Sequence, residues 1–283
     1  MVSTAQIILL IMAIVAYFAG GAATLLTVSG HKPAPYLRWT FMVGGIVLSL
    51  ALLIWHISGT GSWQPLQDSL SALLTLSILL AAFVAYVQLK RPIASLEWLV
   101  MPVVIVLLLM AGHFGKTQPT AYLPTAYSLV HRLFTFLGTL AFVVAGVAGA
   151  LYLMSDRMLR ARPAGGAHLP PSPGKFGSLE RLEHLAHSAV IWGFAMFTLG
   201  ILSGISWAVH EHGQSKLGQA WYFSPKVVLT MAVWVVFAVV LNTPIAPRLR
   251  GRKSAILSIV GLLLTIATLF AALLMPSAGG GGK

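Results

Sequence analysis

Eight apolar stretches follow one another along this chain, each long enough to cross a bilayer, and no other feature limits its fold so tightly. About 20 residues at a rise of 1.5 Å match a hydrocarbon core of about 30 Å. Runs of that kind cover residues 5–29, 38–58, 68–89, 95–112, 128–154, 185–208, 226–246 and 254–275. In lipid every backbone N–H and C=O must find its partner inside the protein, so such runs fold as helices. Composition points the same way: a chain of 283 residues that is 58% hydrophobic and 8% charged, with a mean hydropathy of +0.87, has more apolar surface than a soluble fold of its size can bury. The expected fold is an all-α integral membrane protein, a bundle of about eight transmembrane helices forming one domain over residues 1–283. The first run begins almost at Met1. Met1 to Gln6 carries no basic residue and no small-residue cleavage pattern follows, so it reads as a retained helix rather than a signal peptide.

Charge orients the bundle. Lys32, Arg38, Lys90, Arg91, Arg157, Arg160, Arg162, Lys175, Arg181, Arg248, Arg250, Arg252 and Lys253 fall in alternate loops on one side, against Lys116, Arg132, Lys216, Lys226 and Lys283 on the other. Basic residues accumulate on the cytoplasmic face of membrane proteins. The expectation is a multi-pass protein of the cell (inner or plasma) membrane with both termini outside. A net charge of +12 then reflects loop placement rather than nucleic-acid binding. The longest inner connection, about 155–178, contains Arg-Pro-Ala-Gly-Gly and Pro-Pro-Ser-Pro-Gly and reads as a flexible linker. The tail, about 277–283, is glycine-rich and low in complexity.

Topology sorts the nine histidines. His56, His113, His131, His210 and His212 fall at the outer face, and His31, His168, His184 and His187 on the inner side. An ionisable side chain near the hydrocarbon is costly and marks a functional site by default, although a histidine at a helix end also sits well at the interface. His56 follows Leu53-Ile54-Trp55, and His131 is followed by Phe134, Phe136 and Phe142.

With no cysteine the chain has no disulfide, iron–sulfur cluster, thiolate-ligated haem or covalent haem attachment site. Only six acidic residues are present and no HExxH pattern occurs, which argues against a compact metal site. His184 with His187, or His210-Glu211-His212, offers at most weak zinc binding. A large planar ligand suits the histidines better: two imidazoles from different helices clamp haem iron while apolar side chains cover the ring and cations meet the propionates. The outer segment Gly218-Gln219-Ala220-Trp221-Tyr222-Phe223-Ser224-Pro225-Lys226 supplies three aromatics that make either an interfacial belt or a porphyrin-stacking surface.

These residues also carry a resemblance. Trp221, Pro225, Lys226 and Trp234, followed by Arg250-Gly251-Arg252-Lys253, resemble the tryptophan-rich segment, apolar helix and arginine-rich turn of the cytochrome c assembly family, which includes the CcsA and HemX-like groups. Ser128-Leu-Val-His131 with its long helix resembles the family helix that opens on an external haem-ligating histidine. Leu182 to Trp207 resembles the helix leading into the tryptophan-rich loop, and His56 followed by Gln64-Pro65-Leu66 is similar to the histidine-ended second helix of the HemX-like group. Ser224, Val227, Leu229 and Phe223 depart from the motif, the last helix ends Leu274-Met275-Pro276 without a histidine, and Asn242 stands where a histidine is common. The resemblance is therefore closer to the short eight-helix HemX-like branch than to a full synthetase.

The resemblance implies a haem-binding membrane protein that handles or presents haem for cytochrome c biogenesis. Haem b would lie near the outer face with His131 as axial ligand and His56 or His210 opposite. Trp221, Tyr222 and Phe223 would cover the ring, with Pro225 in the same segment, and Lys226 or Arg132 would meet propionates. Implied partners are haem, cytochrome c maturation or haem-synthesis proteins and the lipid bilayer. The alternatives are a haem-b electron-transfer subunit, for which the inner His184 and His187 leave a second site open, and a regulatory HemX-like protein acting on haem synthesis. No nucleophile with a placed base, carboxylate pair or nucleotide motif is evident, so no independent catalytic activity is expected.

Overall fold

The computed structural model describes residues 3–28, 35–60, 66, 68–90, 96–115, 126–160, 178–212, 223–243 and 245–274. Among them are eight α-helices: α1 Thr4–Val28, α2 Pro35–Thr60, α3 Ser69–Lys90, α4 Leu96–Phe114, α5 Ala126–Arg160, α6 Leu179–His212, α7 Pro225–Leu241 and α8 Arg252–Leu274. All but α7 are long and apolar enough to cross a membrane. The protein is a helical, multi-pass membrane bundle, as its hydropathy requires.

Seven threonine hydroxyls inside these helices are satisfied by their own helix backbone, which suits lipid. Thr24, Thr27, Thr75, Thr198, Thr230, Thr265 and Thr268 each donate to the carbonyl four residues earlier at 2.7–3.0 Å. Outward faces are apolar: Phe18 is 68% and Trp192 67% exposed, surface that a bilayer covers.

The helix boundaries differ from the hydropathy runs in ways that matter for the histidines. Helix α2 continues to Thr60 and α5 begins at Ala126, so His56 and His131 lie inside helices rather than at their tips. Helix α5 continues to Arg160, into the stretch expected as linker; residues 161–177 and 275–283 lie outside the described residues. Helix α7 has 17 residues, about 25 Å at 1.5 Å per residue, and stops at Leu241 instead of reaching 246. Asn242 caps it, its N–H bonding Ala238 O and Val239 O and its side-chain amide also donating to Ala238 O. Prolines at 244 and 247 disfavour further helix.

Contacts along the chain form two compact units, Met1–Thr120 with Met154–Leu179, and Ala121–Leu153 with Glu180–Lys283. In unit 1, α1 packs on α2 and α4, and α3 packs on α2 and α4, closing a four-helix ring. A Cβ at position 45 would lie 2.7 Å from the fully buried Tyr17 ring, so only glycine lets α2 approach α1 there. Buried Glu97 joins three of the helices: its Oε2 accepts from Thr24 Oγ1 at 2.6 Å and lies 3.2 Å from Arg38 Nε. In unit 2 the core is Phe142, Val190, Phe197, Val233, Phe237 and Val240, with Phe142 and Phe237 stacked at 3.7 Å between centroids.

Candidate functional site

The candidate site is built where α5 meets α6. Alternating chain direction brings the start of α5, the end of α6 and the start of α7 to one end of unit 2, and His131, Arg132 and Lys226 are all half-buried there. Close approach depends on Gly200 and Gly204, a small-xxx-small pair of the kind that lets membrane helices touch backbone to backbone. A Cβ at 200 would lie 2.8 Å from Thr135 N, and one at 204 would lie 2.7 Å from His131 Nδ1. The imidazole therefore lies against the bare backbone of Gly204.

His131 Nδ1 is 2.7 Å from the carbonyl oxygen of Gly200. A carbonyl only accepts, so Nδ1 carries the proton and donates it. In the neutral imidazole the lone pair then belongs to Nε2. That is the arrangement of a metal-ligating histidine, whose other ring N–H is fixed by a carbonyl or carboxylate. Thr135 Oγ1, at 3.5 Å from Nδ1, and Ser203 Oγ, which donates to the same Gly200 carbonyl at 2.9 Å, surround the group with polar atoms.

His56 is held differently. It is 5% exposed, and its Nε2 lies 2.7 Å from Asp68 Oδ2. Asp68 Oδ1 meanwhile accepts the N–H of Ser71 at 2.6 Å, so one carboxylate caps α3 and grips the histidine of α2. The sequence reading passed over Asp68. Its signal was present, because it is the first acidic residue of a chain with only six, twelve positions after a histidine in an apolar run.

Other expected site residues are placed with less company. Phe223 is 82% exposed, Pro225 opens α7, and Trp221 and Tyr222 lie outside the described residues. His210 lies in the last turns of α6, six residues or about 9 Å beyond Gly204; its side chain is outside the described set. Trp234 turns inward instead of toward that end. Its Nε1 donates to Thr198 Oγ1 at 3.0 Å and its ring lies 5.2 Å from that of Phe194, tying α7 to α6. His184 and His187 line a separate cavity at the far end of unit 2.

Residues 36–277 match the family described as Cytochrome C assembly protein. The chain belongs to that family. It is 25% identical over 245 residues to a protein of Prochlorococcus marinus named Cytochrome c biogenesis protein CcsA, a match covering 84% of this chain and 71% of that one. Proteins of the same name from Microcystis aeruginosa, 28% identical over 139 residues, and Spinacia oleracea, 34% identical over 86 residues, match 49% and 30% of this chain. Those two matches span only 39% and 25% of the relatives' own lengths. No solved structure matches the chain.

Proposed function

We propose that this protein takes part in cytochrome c assembly by holding haem b, as cargo to be carried or presented, at the end of unit 2 where α5 begins. The observation that carries this reading is the His131 Nδ1 bond to Gly200 O at 2.7 Å, which leaves Nε2 as the ring's lone-pair nitrogen. Membership of the assembly family supplies the ligand class, and the relatives' name supports the biogenesis role. Bound haem would contribute an iron centre that takes two axial nitrogens and two propionates that need cations. His131 orients the first nitrogen. His210, in the same unit, is the preferred opposite ligand, whereas Asp68 already engages the Nε2 of His56. Lys226 and Arg132 would meet the propionates, with Trp221, Tyr222, Phe223 and Pro225 covering the ring. In this reading the bearing end faces outward, both termini are outside, the membrane is the inner or plasma membrane, and the chain stands closest to the HemX-like branch.

An absorption spectrum of the purified full chain tests it. One low-spin haem per chain is expected, reduced at least roughly tenfold in His131→Ala, as loss of a metal ligand or its supporting shell costs 10–100-fold in affinity. Absence of a Soret band in the wild-type protein sinks the proposal. Two reversible haems would point to electron transfer instead.

A further inference from the structure

Unit 2 has a recess at the end away from His131. Tyr152, in its wall, lies 21 residues beyond His131 on α5, about 31 Å at 1.5 Å per residue. The cavity measures about 770 Å³, within the roughly 300–1,000 Å³ usual for small-molecule sites. Gly149 and Tyr152 of α5, the first turns of α6, Val240 and Thr243 at the end of α7, and the turn into α8 form its walls. Helix ends converge there, and three of its charged residues, Glu180, Glu183 and Arg250, are exposed.

Its lining is divided. Buried Leu182, Val240 and Ala255 make an apolar floor. The rim is charged, with Arg250 coming from the turn before α8 and Glu180 and Glu183 from the first turns of α6. The chain's six acidic residues are Asp68, Glu97, Asp156, Glu180, Glu183 and Glu211. Among the described side chains Asp68 is hydrogen-bonded to His56, and Glu97 and Asp156 are in ion pairs with Arg38 and Arg160. Glu180 and Glu183 are in none, nor is Arg250, and all three line this one cavity.

We propose that the cavity is a lipid site that takes the phosphoethanolamine headgroup of a zwitterionic phospholipid. The phosphate sits against Arg250 and Ser254, the ammonium between Glu180 and Glu183, and the acyl chains leave over the apolar floor. Charge decides among headgroups. An anionic lipid, or a dianion such as haem, would bring its charge toward two carboxylates. A choline headgroup offers them no N–H to donate, whereas a primary ammonium donates three. The bilayer is the source, because the cavity's apolar half has no use for a water-borne headgroup.

Native mass spectrometry of the full chain through delipidating washes tests this, with headgroup preference measured by adding back phosphatidylethanolamine, phosphatidylcholine or phosphatidylglycerol. The expected result is one retained phosphatidylethanolamine. Its occupancy should fall roughly tenfold when a charged hydrogen-bond partner is lost, in Arg250→Ala and in the double variant Glu180→Gln/Glu183→Gln, and stay unchanged in His131→Ala. Helicity by circular dichroism checks each fold, and if Arg250→Ala does not fold the glutamine variant decides. Equal retention of the other two lipids, undiminished retention in the variants, or binding of soluble phosphoethanolamine without lipid overturns the proposal. So does a haem band lost in His187→Ala.

Discussion

At residue scale the protein turns on single atoms against backbone. Gly204 has one hydrogen where any other residue has a Cβ, and that Cβ would lie 2.7 Å from His131 Nδ1 and 2.8 Å from Cε1. Gly204→Ala should therefore swing the imidazole off the Gly200 carbonyl. Haem affinity, read from Soret absorbance per chain in a haem titration, should fall roughly tenfold or more, as for disturbed supporting shells, while helicity is unchanged. Full occupancy in this variant would mean that the His131–Gly200 bond does not set the site. None of this was legible in the sequence. Hydropathy locates His131 near one end of an apolar run, yet the partner of its ring nitrogen is 69 residues away, and helix rotation about its axis leaves no trace in hydropathy.

At the scale of elements, glycine and phenylalanine divide the work. Gly138, Gly193 and Gly200 admit α5 and α6 to close contact, while Gly146 and Gly149 do so for α5 and α8; a Cβ at 146 would collide with Leu262 Cβ. Phe142 and Phe237 fill the space between, and the Phe237 ring occupies the place a Cβ on Gly261 would need, at 2.6 Å. Truncating a buried phenylalanine costs about 3–5 kcal/mol. Phe237→Ala should lower the thermal midpoint in detergent markedly, with exposed Phe223→Ala as the control that leaves it in place. Equal midpoints would show that the three-helix core is not what holds unit 2 together. The helices themselves were legible because lipid permits little else. Helices α5 and α6 run longer than their apolar runs, and α7 is shorter than its run because apolar residues continue to Ile245 and Ala246 past the point where Asn242 caps the helix and Pro244 follows.

At the scale of the molecule, the asymmetry of Lys and Arg makes its own prediction. The chain has no cysteine, so a single introduced thiol reports its side without background. Ala167→Cys, in the basic connection, should react with membrane-impermeant maleimide only after the cytoplasmic face is opened, and Ala121→Cys should react from outside. The reverse pattern would invert the topology and with it the face on which haem is presented. What the sequence by itself determined was the class of fold, the number and order of its helices, the family and the residue types able to meet a haem, because these follow from local composition, spacing and motif. Tertiary structure alone decided which histidine nitrogen is left with a lone pair, that Asp68 holds His56, that Trp234 turns inward, and that two glutamates and an arginine share one cavity. Each of those depends on the rotation and depth of one helix against another, a quantity fixed by side-chain packing across the interface and not by the hydropathy of either helix alone.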